Sequence, residues 1–323
     1  MEILNQTMVR TFILQGLSNN PMMQPALFLT LFLMYLVTLS GNFLIIIVVR
    51  LSSSLQTPMY FFLSNLAVVD ICFSTTIVPN LVVDICFSTT IVPNLLKNTI
   101  SQDRTISFLG CATQMYFHLG LGATECLTLA VMAYDRYVAI CKPLHYHNII
   151  DKRRRLLLAA ASWTVSFFFS VIHALLTFRL SYCKSNQVNH YFCEMPPLLR
   201  LSCTDTLVNE LIIYITAVLF TLSSFLLTLL SYIHIISSIL KIQLSKGRLK
   251  VFSTCSSHLT VVSLYYGTVM CMYMIPRSKH LPGQDRVVSI LYTVVTPMLN
   301  PIIYSVRNSD FKECVIKIFK KQV

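Results

Sequence analysis

Seven stretches of the chain carry no charged residue over most of the length needed to cross a bilayer. They are 26 to 49, 51 to 69 continuing past Asp70, 105 to 124 continuing past Glu125, 156 to 178, 211 to 240, 251 to 276 and 287 to 306. A helix needs about 20 apolar residues to cover ~30 Å of hydrocarbon, so each stretch predicts a membrane-spanning helix, the second and third only if an acid is tolerated inside. No ten-residue alternation of apolar and polar positions appears, which argues against a transmembrane β-barrel. The pattern predicts an all-α membrane protein, a seven-transmembrane helix bundle over 26–306 between a segment 1–25 and a tail 307–323.

Composition agrees: 55% of residues are hydrophobic and 12% charged, against about 25% charged in a soluble domain, so a water-soluble enzyme is nearly excluded. The net charge of +12 would suggest nucleic acid in a soluble chain. Here its placement points to topology instead, and no nucleic-acid partner is expected. Sixteen of the 25 Lys and Arg, among them Arg50, Arg136, Lys142, Lys152 to Arg155, Lys241 and Lys246, gather on one side, leaving nine for the other. By the positive-inside rule the richer side is cytoplasmic. Seven spans then put the amino terminus outside and the carboxyl terminus in the cytosol. Asn5, in the chain's one N-x-S/T tripeptide, is the expected glycosylation site on the outer face. Residues 1–25 lack a basic region followed by an apolar core, so the first span is expected to act as the insertion signal.

Four of the eleven cysteines, Cys111, Cys183, Cys193 and Cys203, fall on the oxidising side, where three connectivities are open. His190 near Cys193 raises metal binding as an alternative, but an oxidising loop favours disulfides.

Four motifs carry more than topology. Met132-Ala133-Tyr134-Asp135-Arg136-Tyr137-Val138-Ala139-Ile140-Cys141 closes the third span, and Pro297-Met298-Leu299-Asn300-Pro301-Ile302-Ile303-Tyr304 ends the seventh. The first inner loop reads Leu55-Gln56-Thr57-Pro58-Met59-Tyr60-Phe61-Phe62-Leu63-Ser64-Asn65-Leu66, and the sixth helix opens Lys250-Val251-Phe252-Ser253-Thr254-Cys255-Ser256-Ser257-His258. Together these resemble the olfactory receptors, in the tetrapod-type (class II) branch of rhodopsin-like G-protein-coupled receptors. Gln56 stands where that family usually has His.

The resemblance implies a receptor for a small, largely hydrophobic odorant, coupled through a heterotrimeric G protein of the stimulatory olfactory type to cyclic AMP, in the plasma membrane of olfactory cilia. Asp135, Arg136 and Tyr137 would form the inner switch, Asp135 pairing with Arg136 until ligand binding rearranges the bundle. A plain positive-inside anchor is the alternative for Arg136. Pro301 frees a backbone carbonyl, and with Asn300 it would let Tyr304 and Tyr232 exchange partners as the sixth helix moves. In the outer half, His118, Leu119 and Gly122 share one face of the third helix, while Thr216 and Phe220 on the fifth and Tyr266, Met270 and Tyr273 on the sixth complete the expected ligand site. That set offers one His and two Tyr against apolar walls.

The family pattern also pairs Cys111 with Cys193 and Cys183 with Cys203. Asp70 and Glu125 within apolar spans each cost about 2.5 to 3.5 kcal/mol on insertion scales, so both should face the interior with partners. The resemblance suggests a sodium ion there with Asn300; a protonated, hydrogen-bonded carboxyl is the alternative, and no other cofactor is expected. In the tail, Phe311, Cys314, Val315, Ile318 and Phe319 oppose Lys312, Lys317, Lys320 and Lys321, the pattern of a short amphipathic helix lying on membrane lipid. Cys314 is a candidate for palmitoylation, the bare anchor being the plainer reading.

One departure from the family is large. Val68 to Leu81 is followed at once by an identical copy, Val82 to Leu95. An unbroken helix from Pro58 to Leu95 would measure about 57 Å at ~1.5 Å per residue, far beyond ~30 Å of hydrocarbon. The first copy keeps Asp70 at the family's spacing from Pro58, so it is expected in the membrane. The second, with Asp84, is then pushed into an outer loop over 82 to 107, exposing apolar residues that favour misfolding. A receptor impaired by the duplication, a tolerated insertion, and an ion or proton conductor using the carboxylates remain as alternatives. Residues 287 to 306 hold no Lys for a retinal Schiff base, and no nucleophile-base or metal constellation in the spans suggests an enzyme.

Overall fold

The computed structural model describes residues 10–15, 17, 22–75, 105–183, 185–241, 245–273, 284–307 and 309–321. Seven helices form the bundle: α1 (Gln24–Leu51), α2 (Pro58–Ser74), α3 (Phe108–Cys141), α4 (Lys152–Phe178), α5 (Leu207–Leu240), α6 (Ser245–Tyr273) and α7, which runs from Gln284–Ile290 through Leu291–Val295 to Thr296–Arg307. The tail forms α8, Ser309–Lys321. Among the described residues α1, α3, α4, α5 and the stretch Arg286–Ser305 are long and apolar enough to cross a membrane, and Pro58–Ser74 is a shorter apolar helix.

Local chemistry explains the boundaries. Pro58 follows the extended Thr57 and opens α2, where its missing N–H costs nothing, so the second span begins there rather than at residue 51. Ser107 caps α3 by accepting from the Gly110 N–H at 3.0 Å, and Asp151 caps α4 through the Arg154 N–H at 2.7 Å. Both α5 and α7 contain a widened π-turn, Val218–Leu222 and Leu291–Val295, the latter upstream of Pro301. Large apolar side chains stay exposed along the outer faces, such as Leu33 on α1, Phe168 on α4 and Leu227 on α5. In water such faces would associate; in a bilayer they meet lipid.

α1 and α7 meet closely where a side chain is missing. A Cβ on Gly41 would stand 2.8 Å from Pro301, so α1 can lie against the α7 proline only because position 41 is glycine. Beside it, the Asn42 amide donates to Thr38 O and, across the interface, to Pro297 O at 3.3 Å.

Outside the bundle a three-stranded sheet forms, an element the sequence pattern did not predict. β1 (Thr11–Leu14) lies between β2 (Thr105–Ser107), antiparallel, and β3 (Gln187–Val188), parallel. Phe12 and Leu14 turn inward onto Met115, Cys193 and Leu198. The sheet ties the amino-terminal segment to the top of α3 and to the second outer loop. Of the outer loop expected over 82 to 107, only the β2 residues 105–107 are described. The second copy with Asp84, and Asn5, lie outside the described residues.

Candidate functional site

The first copy enters α2 as far as Ser74, and its Asp70 sits fully buried. The Asn300 amide donates to both Asp70 oxygens at 3.1 and 3.0 Å. Glu125 is buried on α3 with neither carboxylate oxygen hydrogen-bonded, and Asn300 Oδ1 is also without a partner among the described residues.

The inner end of α3 departs from expectation. The Asp135 carboxylate accepts the Tyr146 hydroxyl at 2.9 Å, and among the described residues no Asp135–Arg136 ion pair within 4 Å is formed. Adjacent helix positions diverge by about 100°, so the two side chains leave α3 in different directions. Burial and the neighbouring Asp135 push the Tyr146 phenol above its ordinary range, which keeps it a neutral donor. Arg136 itself is buried and lies within electrostatic reach of Tyr232, His258 and Tyr304. Tyr232 bonds His258 Nδ1 at 2.8 Å, joining α5 to α6, while the Tyr304 hydroxyl is buried without a partner. Tyr137 instead faces His234 and Lys142 near the cytoplasmic end.

In the outer half the helices surround a partly open cavity of about 110 Å³. α3 supplies His118, Leu119, Gly122 and Cys126, and α5 supplies Thr216 and Phe220. Of the three α6 residues expected there, only Tyr273 lines the cavity. Tyr266 turns away into the core, its hydroxyl bonding Cys126 O at 2.8 Å, and Met270 packs against the main apolar core. The cavity face of α6 is Tyr265, Val269 and Tyr273, spaced by one helical turn; the expected face was rotated by one residue. Tyr265 bonds Gly122 O at 2.5 Å, and a Cβ at position 122 would stand at ordinary contact distance from Phe73 and the Tyr265 hydroxyl.

The fourth wall went unforeseen. Ser166, Phe169, Ser170 and His173 form one stripe of α4 at i, i+3, i+4 and i+7. That spacing of hydroxyls and an imidazole in an apolar helix was the available signal. His173 Nε2 lies 3.0 Å from Thr216 Oγ1, whose single proton goes to the Ile212 or Ile213 carbonyl, so the imidazole donates to the hydroxyl. With Tyr292 the cavity therefore presents two His and three Tyr, more polar than the one His and two Tyr expected.

A short loop roofs it. Cys111 is bonded to Cys193 and Cys183 to Cys203, and the Cys193 N–H donates to Gln114 at 2.8 Å. Glu194 receives the Tyr273 and Tyr292 hydroxyls, each at 2.8 Å, and stands 3.4 Å from His190. Tyr191 bonds Thr293 at 3.0 Å. Burial raises the Tyr191 phenol well beyond its ordinary value, so it too is neutral. Covalent and hydrogen bonds thus clamp the loop to α3, α6 and α7. Among the described residues no group of three or more His, Cys, Asp or Glu is placed to hold a metal.

The olfactory receptor profile matches residues 31–322. The chain belongs to the olfactory receptor family. It is 46% identical to olfactory receptor 1 of Rattus norvegicus, and 47% identical to olfactory receptors 1E5 of Pan troglodytes and 1E2 of Gorilla gorilla gorilla, each over 318 residues covering 98% of this chain and 97% of the relative. Membership in the olfactory receptor family makes the chain a multi-pass plasma-membrane receptor and removes the enzyme reading. It also disfavours the conductor.

In α8, Phe311 and Cys314 are buried against the bundle while Lys312, Lys317 and Lys320 are exposed. Cys314 Sγ lies 3.2 Å from the hydroxyls of both Ser52 and Ser54 on the first inner loop. A thiol so enclosed is not presented for acylation, which favours the bare anchor over palmitoylation.

Proposed function

We propose that this chain is an odorant receptor that takes a small, largely hydrophobic molecule into the outer cavity and activates a stimulatory G protein, raising cyclic AMP. The observation that carries the reading is the cavity on α3, α5 and α6, the same helices that bring Arg136, Tyr232 and His258 together at the inner end. A ligand that binds the rearranged bundle more tightly shifts the population toward it; no bond of the ligand need change. With the Asp135–Arg136 pair absent, release of Tyr146 from Asp135 and of His258 from Tyr232 are the local steps such a shift would involve. Membrane lipid would hold α8 through its basic outer face.

Asp70, Asn300 and Glu125 fit a sodium ion: three buried oxygens on Glu125 and Asn300 lack donors, and a monovalent cation would satisfy them. These side chains would then stabilise the resting arrangement, and replacing sodium by a large organic cation should raise basal signalling.

In cells carrying an outer-terminal tag, an odorant panel should raise cyclic AMP without membrane current, and Arg136→Ala should abolish the response at equal surface level. A current accompanying the response would overturn the reading in favour of conduction. The duplicated segment is expected to impair folding, so removal of residues 82–95 should increase surface labelling. Equal labelling would make the insertion a tolerated one.

A further inference from the structure

The polar groups around the cavity are nearly all engaged within the protein. Tyr273 and Tyr292 donate to Glu194, Tyr265 to Gly122 O, Ser170 to Tyr116 O, and His173 to Thr216. The Cys126 thiol is directed at Phe220 O. Two groups stand apart. Ser166 is 1% exposed and its hydroxyl has no partner. Serines in these spans commonly bond a carbonyl one turn back, as Ser162 does to Leu158 O at 2.9 Å. Ser166 leaves that bond unmade and lines the cavity. His118 is 5% exposed, and its Nδ1 has no hydrogen-bond partner among the described residues.

These two groups come from different walls, His118 from α3 and Ser166 from α4. The His118 ring sits 5.3 Å from that of Phe73 on α2, 4.7 Å from Phe192 of the roof and 6.0 Å from Tyr292 on α7. Ser166 belongs to the α4 stripe that the His173–Thr216 bond joins to α5. A buried polar atom left unpaired costs about 1 to 3 kcal/mol, and a ligand that pairs it recovers that cost. No Lys, Arg, Asp or Glu lines the cavity among the described residues. A charged ligand would lose its hydration with no counter-ion to replace it. The nearby Glu194 carboxylate, held by two tyrosines above the cavity, further opposes an anion.

We propose that the cavity selects uncharged ligands bearing two hydrogen-bonding oxygen atoms on a short apolar body, one held by Ser166 and the other by His118. Hydroxy ketones and diketones are of this class. The inference rests on the odorant-receptor reading and adds its ligand chemistry.

The test is cyclic AMP dose–response in cells expressing the full chain, with matched six- to eight-carbon hydroxy ketones, diketones, monoketones, carboxylic acids and amines. Variants are Ser166→Ala, Ser166→Thr, His118→Phe and, as a control outside the cavity, Ser162→Ala, each normalised to surface level. Two-oxygen neutral ligands should be the most potent. Ser166→Ala and His118→Phe should each weaken them about tenfold, whereas a monoketone should lose potency in only one of the two variants. Ser166→Thr, which keeps the hydroxyl, should restore most of the potency, and Ser162→Ala should leave it unchanged. Acids or amines as the best agonists, or potency indifferent to Ser166→Ala, would overturn the inference while leaving the receptor intact. A chain at the surface that is silent to the whole panel would overturn both.

Discussion

The two halves of the bundle are built from different materials. At the inner end, contiguous motifs supply most of the parts: Asp135 and Arg136 are neighbours, Asn300 and Tyr304 lie one turn apart, and Tyr146 reaches Asp135 from the next loop, with the Tyr232–His258 bond joining α5 to α6. The outer half is assembled from distant segments. Its roof is Cys193 and Glu194, clamped by Cys111, Gln114, Tyr273 and Tyr292, with β1 from the amino terminus packed against it. Coupling the halves falls to α3, which contributes His118 to one and Arg136 to the other. A half made of local motifs constrains the transducer side to one geometry, whereas a half made of long-range contacts can vary its lining and keep the same roof.

The largest test of this contrast is the roof. Cys193→Ser should abolish ligand response and most surface expression, since removing a native disulfide from a small secreted domain costs about 2 to 5 kcal/mol; flow cytometry of an outer tag reads it. Next is the seam between α1 and α7. Gly41→Leu must displace Pro301, and overpacking of about 1 to 3 kcal/mol should lower the melting temperature of the detergent-solubilised receptor. Asp70→Leu leaves the Asn300 amide without its acceptors, at about 1 to 3 kcal/mol, and adding Asn300→Leu should recover part of the loss in the same assay. At the inner end, Tyr146→Phe removes one hydrogen bond to Asp135, worth about 1 kcal/mol, and should raise basal cyclic AMP a few-fold with ligand potency hardly changed. The smallest effect is expected at α8. Cys314→Ser should alter neither signalling nor metabolic labelling with palmitate; strong labelling of the wild type would show the thiol to be more open than its two serine neighbours suggest.

Much of the candidate site was legible because helical spacing is a property of the chain. His118, Leu119 and Gly122, placed on one face of α3 by helical spacing, line the cavity, and so do Thr216 and Phe220 of α5. The rotation of α6 was not legible: Tyr265 and Tyr266 are adjacent aromatics, and only the neighbours met by each ring decide which faces the cavity. Ser166 and His173 were missed for a related reason, since polar residues in a span can face lipid, core or cavity.

What the sequence determined by itself was the helical membrane bundle and the family, because uncharged length and short motifs are read along the chain. The tertiary structure alone decided that Asp135 turns to Tyr146, that Glu194 latches two tyrosines, and that Ser166 and His118 keep unpartnered polar atoms at the cavity. Each of those outcomes depends on which distant side chain fills the space, and in a close-packed interior that is settled only when all the helices are in place.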